Sequence, residues 1–139
     1  MNRFVLLDTG PLVALRDRRD RYHEWAKEQF AEIRPPLLTC EAVLTEACFL
    51  LADLPGGGEA VLEQVRRGLL AIALRLDEEA VAVSQLMARY ASVPMSLADA
   101  CLVRMAEQHA NSVVLTLDSD FKLYRMHGRQ VVPTTMPQR

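Results

Sequence analysis

Short apolar runs and longer amphipathic segments alternate along the chain. The apolar runs predict strands at Phe4–Leu7, Leu37–Thr39, Leu69–Leu76, Val113–Leu117 and Gln130–Val132. Segments with apolar residues three or four positions apart lie between these runs and predict helices. Those helices cover Pro11–Arg16, a stripe from Tyr22 to Ile33, Cys40–Ala52, about Glu59–Arg67, Glu78–Tyr90, Ser96 to about His109, and Phe121–Arg125. This order predicts an α/β fold with a mainly parallel sheet that helices cover on both faces.

Capping and turn residues mark where these elements begin and end. Asp20 is predicted to cap the second helix, and Ser96 with Asp99 three residues later forms a capping box. The turn Pro55–Gly58 separates two helices. The chain contains no internal repeat, low-complexity segment or linker, so we expect a single domain over residues 1–139, with a proline-containing tail from about residue 133.

Composition narrows the function classes. Sixteen basic and eighteen acidic residues give a formal net charge of −2, unlike the strongly basic balance of proteins that bind nucleic acid by bulk electrostatics. The three cysteines are odd in number and form no C-x-x-C pair, so we interpret them as reduced core residues of a cytoplasmic protein. No apolar run is long enough to predict a membrane span.

Four acidic residues occupy positions where a carboxylate is hard to explain structurally. Asp8 and Asp118 each follow a predicted buried strand, and the carboxyl ends of parallel strands meet at one edge of a sheet. Glu46 lies on a helical stripe that is predicted to face inward, and Asp99 lies in the first turn of its helix. No comparable set of buried bases accompanies them. Because clustered carboxylates repel one another, the pattern predicts a Mg²⁺ or Mn²⁺ ion among them.

Each acid also has a simpler interpretation. Asp8 could cap the helix after its strand, and Asp99 could serve only in the capping box. Glu46 has the weakest alternative, because a mid-helix acid gains nothing from an apolar stripe. Asp118 is preferred to Asp120 as a ligand, and Asp120 could cap the short helix that follows. We interpret the remaining acids near the second helix as a charged surface loop; they are Asp17, Asp20 and Glu24.

The four acids lie within blocks that resemble the signature motifs of PIN-domain ribonucleases, especially the VapC-like toxins. The blocks are Leu6–Gly10, Ala42–Glu46, Met95–Ala100 and Leu115–Phe121, in the family's order. The resemblance implies an α/β/α sandwich with Asp8, Glu46, Asp99 and Asp118 as catalytic acids. It implies metal ligation by Asp8, Asp99 and Asp118, with Glu46 as a ligand or water-orienting base. Candidates to hydrogen-bond or assist these carboxylates are Thr9, Ser96, Thr116 and Asp120.

The resemblance also implies a function. A metal-activated water would cleave RNA phosphodiester bonds, and the protein would be the toxin of a toxin–antitoxin pair. Its partners would be RNA, a second copy in a homodimer, and an antitoxin whose basic side chain enters the acidic site. Two alternatives stay open: a non-toxin RNA-processing nuclease, and a non-catalytic relative that binds RNA or protein. The triplet Asp8-Thr9-Gly10 also occurs in aspartic proteases, but their mainly β fold disagrees with the helical periodicity here.

Overall fold

Five parallel strands form the central sheet of the computed structural model, which describes residues 3–138. Within those residues the strands are β1 (Phe4–Leu7), β2 (Leu37–Thr39), β3 (Leu70–Ile72), β4 (Ser112–Leu115), β5 (Arg125–Met126), β6 (Gln130–Val131) and β7 (Thr134–Thr135). The central sheet has the order β3-β2-β1-β4-β7, and each neighbouring pair is parallel. The predicted mainly parallel α/β sheet is confirmed.

Helices cover both faces of this sheet. They are α1 (Thr9–Arg16), α2 (His23–Glu32), α3 (Glu41–Leu50), α4 (Gly57–Arg66), α5 (Leu76–Arg89), α6 (Leu97–Gln108) and a short 3-10 helix (Ser119–Lys122). No helix among residues 3–138 has the length and apolar character needed to cross a bilayer.

Alternation along the strands divides the core into two layers. Successive strand residues point to opposite faces, so Leu6 and Val114 pack with α5 and α6, whereas Leu7 and Leu115 pack with α1, α3 and α4. All four of these strand side chains are buried. The result is the three-layer α/β/α sandwich that the sequence predicted.

Several predicted element boundaries are wrong. The strand expected over Val113–Leu117 is β4, which spans Ser112–Leu115. The third strand was expected over Leu69–Leu76, but β3 ends at Ile72 and Leu76 begins α5. Three acidic residues follow Leu76 and favour the positive end of a helix, which explains why the apolar run does not stay extended. The short helix expected over Phe121–Arg125 lies instead at Ser119–Lys122, and Arg125 belongs to β5.

The C-terminal segment also differs from expectation. The last predicted strand, Gln130–Val132, contributes β6, which pairs antiparallel with β5 outside the central sheet. The segment expected as a tail from about residue 133 instead contributes β7, whose Thr134 lies beside Val114 of β4. Pro133 supports this pairing, because its carbonyl accepts the Val114 amide at 2.9 Å. The β-branched Thr134 and Thr135 suit such an edge strand.

The predicted cap of α2 is also wrong. The helix begins at His23 with Tyr22 as its N-cap residue. The carboxylate of Asp20 instead accepts the Tyr22 amide at 2.8 Å, and the Asp20 carbonyl accepts the His23 amide at 3.0 Å. Asp20 therefore stabilises the turn before the helix.

Gly57 allows α4 to begin against the end of α3. A Cβ atom at Gly57 would lie 2.9 Å from Leu51 Cβ and would collide with the Leu51 carbonyl oxygen. At the neighbouring Gly58, the nearest atom to an added Cβ would be Cys48 Sγ at 3.7 Å, an ordinary contact. Only the first of these two helical glycines is therefore required by packing.

We expect Gly57→Ala to destabilise the fold by about 1–3 kcal/mol, because the added methyl group overpacks the α3–α4 junction. Gly58→Ala is the matched control and should leave stability unchanged or raise it by up to about 1 kcal/mol, since alanine favours helix. Urea unfolding followed by circular dichroism measures both. Equal effects of the two substitutions would contradict the packing argument.

Candidate active site

The carboxyl ends of β1 and β4 lie side by side. Leu7 pairs with Leu115, and the Asp8 amide donates to the Leu115 carbonyl at 3.1 Å. Asp8 and Thr116 are therefore the first residues beyond their strands at the same edge of the sheet. This adjacency, which the sequence could only suggest, brings Asp8 and Asp118 to one location.

An acidic pocket of about 540 Å³ opens at this edge. The side chains of all four predicted acids line it, although they come from different parts of the fold: Asp8, Glu46, Asp99 and Asp118. Asp20 and Asp120 line it as well. No Lys, Arg or His is among the described residues that line this pocket. The pocket therefore offers oxygen atoms and negative charge, which favour a hard cation over a soft one.

Asp8 is buried at the centre of this arrangement, with 6% of its surface exposed. Its Oδ1 accepts the Thr9 amide at 2.7 Å, and its Oδ2 accepts the Thr116 hydroxyl at 2.6 Å. Burial raises the pKa of Asp8 to about 6, and the charges of Asp99 and Asp118 add to that rise against the two hydrogen bonds. Asp8 both caps α1 and faces the other acids, so its two interpretations are compatible.

Thr116 connects Asp8 to the next acid. Its hydroxyl accepts the Asp118 amide at 2.9 Å, while Asp118 Oδ1 accepts the Asp120 amide at 2.9 Å. Asp118 is therefore the N-cap residue of the 3-10 helix. Asp120 was considered as that cap, and this interpretation is wrong. The hydrogen bonds leave Asp118 Oδ2 as the oxygen not used for capping.

Asp99 is held by a tyrosine that sequence reasoning did not identify. Its amide donates to Ser96 Oγ at 3.0 Å, as the capping box predicted, and its Oδ2 accepts the Tyr124 hydroxyl at 2.8 Å. Burial raises the pKa of Asp99, and the charges of Asp118 and Glu46 raise it further, whereas the hydrogen bonds from Tyr124 and Ser96 lower it. Asp99 thus has a role beyond its capping box.

Tyr124 is fully buried, and its ring packs edge-on against Tyr90 and Phe121, with centroids 5.2 Å apart in both pairs. Burial and the hydrogen bond to Asp99 raise the pKa of Tyr124. Its hydroxyl therefore stays protonated and donates to Asp99. A buried tyrosine hydroxyl requires a partner, but the sequence reveals neither its burial nor which acid it meets.

Glu46 reaches the pocket from a different side than the sequence suggested. The inward-facing stripe is wrong, because Glu46 is exposed, and the neighbouring Phe49 and Leu50 are 79% and 58% exposed. Leu50 had been expected in the core. Glu46 Oε1 accepts the Thr9 hydroxyl at 2.9 Å, which links α3 to the residue that follows Asp8. The position of Glu46 agrees with the prediction although the reason for it does not.

Asp20 lines the pocket, although sequence reasoning assigned it to a charged surface loop. Its charged-loop setting, between Arg19 and Arg21, gives no periodic signal that would direct it toward the other acids. Only the packing of α1 against α2 brings this loop to the pocket. Within residues 3–138, no three Asp, Glu, His or Cys side chains are arranged to enclose a metal ion by themselves.

The raised pKa of Asp8 predicts a stability change with pH. Without metal, stability from protonated Asp8 is complete below its ordinary pKa of 3.8 and is lost as pH rises through about 6. We expect the protein in EDTA to lose about 1–1.5 kcal/mol of stability through Asp8 between pH 5 and pH 7.5. In Asp8→Asn this part of the loss should vanish.

Urea unfolding at the two pH values measures the effect. Asp53→Asn is the control, since Asp53 is exposed in a turn outside the pocket and should follow the wild-type profile. Identical pH dependence in wild type and Asp8→Asn would show that burial does not perturb Asp8.

Comparison with known proteins identifies the family. The model of the PIN domain matches residues 5–125. The crystal structure of VapC20 from Mycobacterium tuberculosis, a toxin that cleaves the sarcin-ricin loop, superposes with a TM-score of 0.74 at 23% sequence identity. The match covers 86% of this chain and 93% of the VapC20 chain, which shows a shared fold. No curated protein sequence matches the chain. Because the domain model covers most of its length, the chain belongs to the PIN domain family.

Proposed function

We propose that the protein is a metal-dependent endoribonuclease and the toxin of a toxin–antitoxin pair. The observation that carries this proposal is the single pocket lined by Asp8, Glu46, Asp99 and Asp118 in a PIN domain. VapC20, which shares the fold, is a toxin that cleaves the sarcin-ricin loop. A non-toxin RNA-processing nuclease and a non-catalytic binding relative are the alternatives that the experiments below separate.

The side chains that line the acidic pocket fit Mg²⁺ or Mn²⁺. All of the charged side chains among them are carboxylates, and part of the rise in the pKa of Asp8 and Asp99 comes from neighbouring negative charges. A divalent cation would remove that repulsion. Mg²⁺ takes only one or two carboxylates directly and keeps several waters, so its site does not require a complete cage of protein ligands.

Asp8, Asp99 and Asp118 would hold the cation, either directly or through its bound waters. Asp8 and Asp99 each have hydrogen-bond donors that fix the carboxylate orientation: Thr9 and Thr116 for the first, Tyr124 for the second. A bound cation would acidify a water and neutralise charge on the phosphate. Glu46, which is exposed and accepts a hydrogen bond from Thr9, would orient the attacking water and accept its proton.

The surroundings of the pocket suit a polyanion despite its acidic lining. Exposed Arg18 and Arg19 precede Asp20, and exposed Lys122 follows Asp120 by two residues. Such side chains can bind flanking phosphates, while the cation meets the phosphate that is cleaved. This arrangement agrees with a formal net charge of −2, because contacts to RNA would be local.

We further propose that the protein acts in the cytoplasm as a homodimer controlled by an antitoxin. The free cysteines support a reducing compartment. An antitoxin segment with a basic side chain would match the charge of the pocket. Phe49 and Leu50, both exposed on α3 beside Glu46, supply apolar surface next to that charge.

Cleavage of a mixed structured and single-stranded RNA pool tests the enzyme proposal. We expect cleavage with Mn²⁺ or Mg²⁺ that EDTA abolishes. Asp8→Asn and Asp99→Asn should each lower the rate at least about a hundredfold, because each removes a charge that holds the cation. Asp53→Asn, the same substitution outside the pocket, should retain full activity. Loss of cleavage in Asp8→Asn prepared in the same way would exclude a contaminating nuclease.

If folded wild type and Asp8→Asn are equally inactive with every metal tested, a non-catalytic binding role would replace the nuclease proposal. Growth arrest on expression of the wild type but not of Asp8→Asn separates a toxin from a processing enzyme.

Tyr124→Phe tests whether the tyrosine orients Asp99. Loss of the hydroxyl leaves the ring packing but removes the donor to Asp99 Oδ2. We therefore expect the dissociation constant for Mn²⁺ to rise about tenfold or more. Tyr90→Phe is the matched control, because its hydroxyl accepts the Arg125 amide and contacts no carboxylate. Manganese titration by calorimetry measures both. Equal affinities in the two variants would contradict the orienting role.

A further inference from the structure

Two of the three cysteines meet at a second pocket. Cys40 is the N-cap residue of α3, and Cys101 lies in α6; both line a cavity of about 200 Å³. Both belong to the same buried core cluster, where the neighbouring Cys101 thiol and burial raise the pKa of Cys40, and neither cysteine forms a disulfide. This cavity shares no lining residue with the acidic pocket. The thiols are therefore a separate feature that the proposed RNA cleavage does not use.

The pocket gives these thiols a route to small molecules. Their own surfaces are at most 2% exposed. Leu76 and Leu97, at the beginnings of α5 and α6, also line the cavity and are each 39% exposed, so its walls reach the protein surface. The remaining lining is mostly apolar or uncharged, and Glu41 supplies its one charge. Such walls favour slender, uncharged reagents over bulky anionic ones.

We propose that Cys40 and Cys101 form a dithiol site that small uncharged disulfides oxidise reversibly to a Cys40–Cys101 disulfide. One thiolate attacks a sulfur of the small disulfide, forms a mixed disulfide and releases one small thiol. The second cysteine then attacks the protein sulfur of the mixed disulfide, forms the intramolecular bond and releases the second thiol. The protein loses two electrons and two protons, and the small disulfide gains both.

The fold brings the two cysteines together for such a bond. Both side chains line one cavity and belong to one core cluster, and α3 packs against α6. A disulfide requires the two sulfur atoms to approach to about 2.05 Å. Cys48, the third cysteine, lines a different cavity beside Gly58 and cannot substitute for either partner there. Cys48→Ser therefore isolates the pair without altering its surroundings.

The bond would link the two helices that carry Glu46 and Asp99, since Cys40 begins α3 and Cys101 lies two residues after Asp99 in α6. Small displacements of catalytic groups reduce rates strongly, so oxidation should slow RNA cleavage by about tenfold or more. This regulatory consequence rests on the proposed nuclease function.

The test treats Cys48→Ser protein with bis(2-hydroxyethyl) disulfide, blocks remaining thiols with iodoacetamide, and digests with trypsin without reduction. We expect peptides 28–66 and 90–104 to be joined, and dithiothreitol to separate them. The Cys40→Ser/Cys48→Ser control should instead form a mixed disulfide at Cys101. Recovery of both peptides unlinked from the folded Cys48→Ser protein would overturn the dithiol site.

Cleavage assays on the same samples test the regulatory consequence. We expect the oxidised Cys48→Ser protein to lose activity and to regain it on reduction, while Cys40→Ser/Cys101→Ser keeps its rate under both conditions. Linked peptides with unchanged cleavage would overturn the regulation alone. A reduced protein that never cleaves RNA would contradict the nuclease proposal, and the peptide linkage would still decide the dithiol site.

Discussion

The parallel pairing of β1 with β4 is the constraint on which the acidic pocket depends. Four residue pairs fix its register, and the last of them, Leu7 with Leu115, sets Asp8 beside Thr116. A shift by one residue would turn Leu7 toward the opposite layer and remove the 2.6 Å hydrogen bond from Thr116 to Asp8. The two apolar cores on either side of the sheet therefore hold the site in register as well as stabilising the fold.

Local structure and the candidate chemistry use the same carboxylates. Asp8 caps α1 with one oxygen, Asp118 caps the 3-10 helix with one oxygen, and Asp99 gives one oxygen to Tyr124. Each hydrogen bond holds its carboxylate in one orientation. A flexible acid on the surface would not keep a single orientation. The capping interpretation and the functional interpretation therefore do not compete, since the cap supplies the orientation that a metal ligand requires.

The sequence predicted the parts of this structure that depend on local pattern. The sheet class and the positions of the four acids follow from apolar periodicity and from motifs in order. Glu46 shows the limit, because its flanking apolar residues predicted an inward face while Phe49 and Leu50 lie exposed. Long-range packing brings Asp20 to the pocket and the Tyr124 hydroxyl to Asp99, and β7 pairs with a strand about twenty residues earlier. No local window contains that information.

Burial of Asp8 connects the stability of the protein to the proposed cation. Because burial and neighbouring charges hold the pKa of Asp8 at about 6, Asp8 contributes less to folding stability at neutral pH, where it is ionised, than below pH 6, where it keeps its proton. A cation that binds the folded pocket and not the unfolded chain would offset this cost through mass action. Burial therefore favours Asp8 as a residue that would hold the proposed cation.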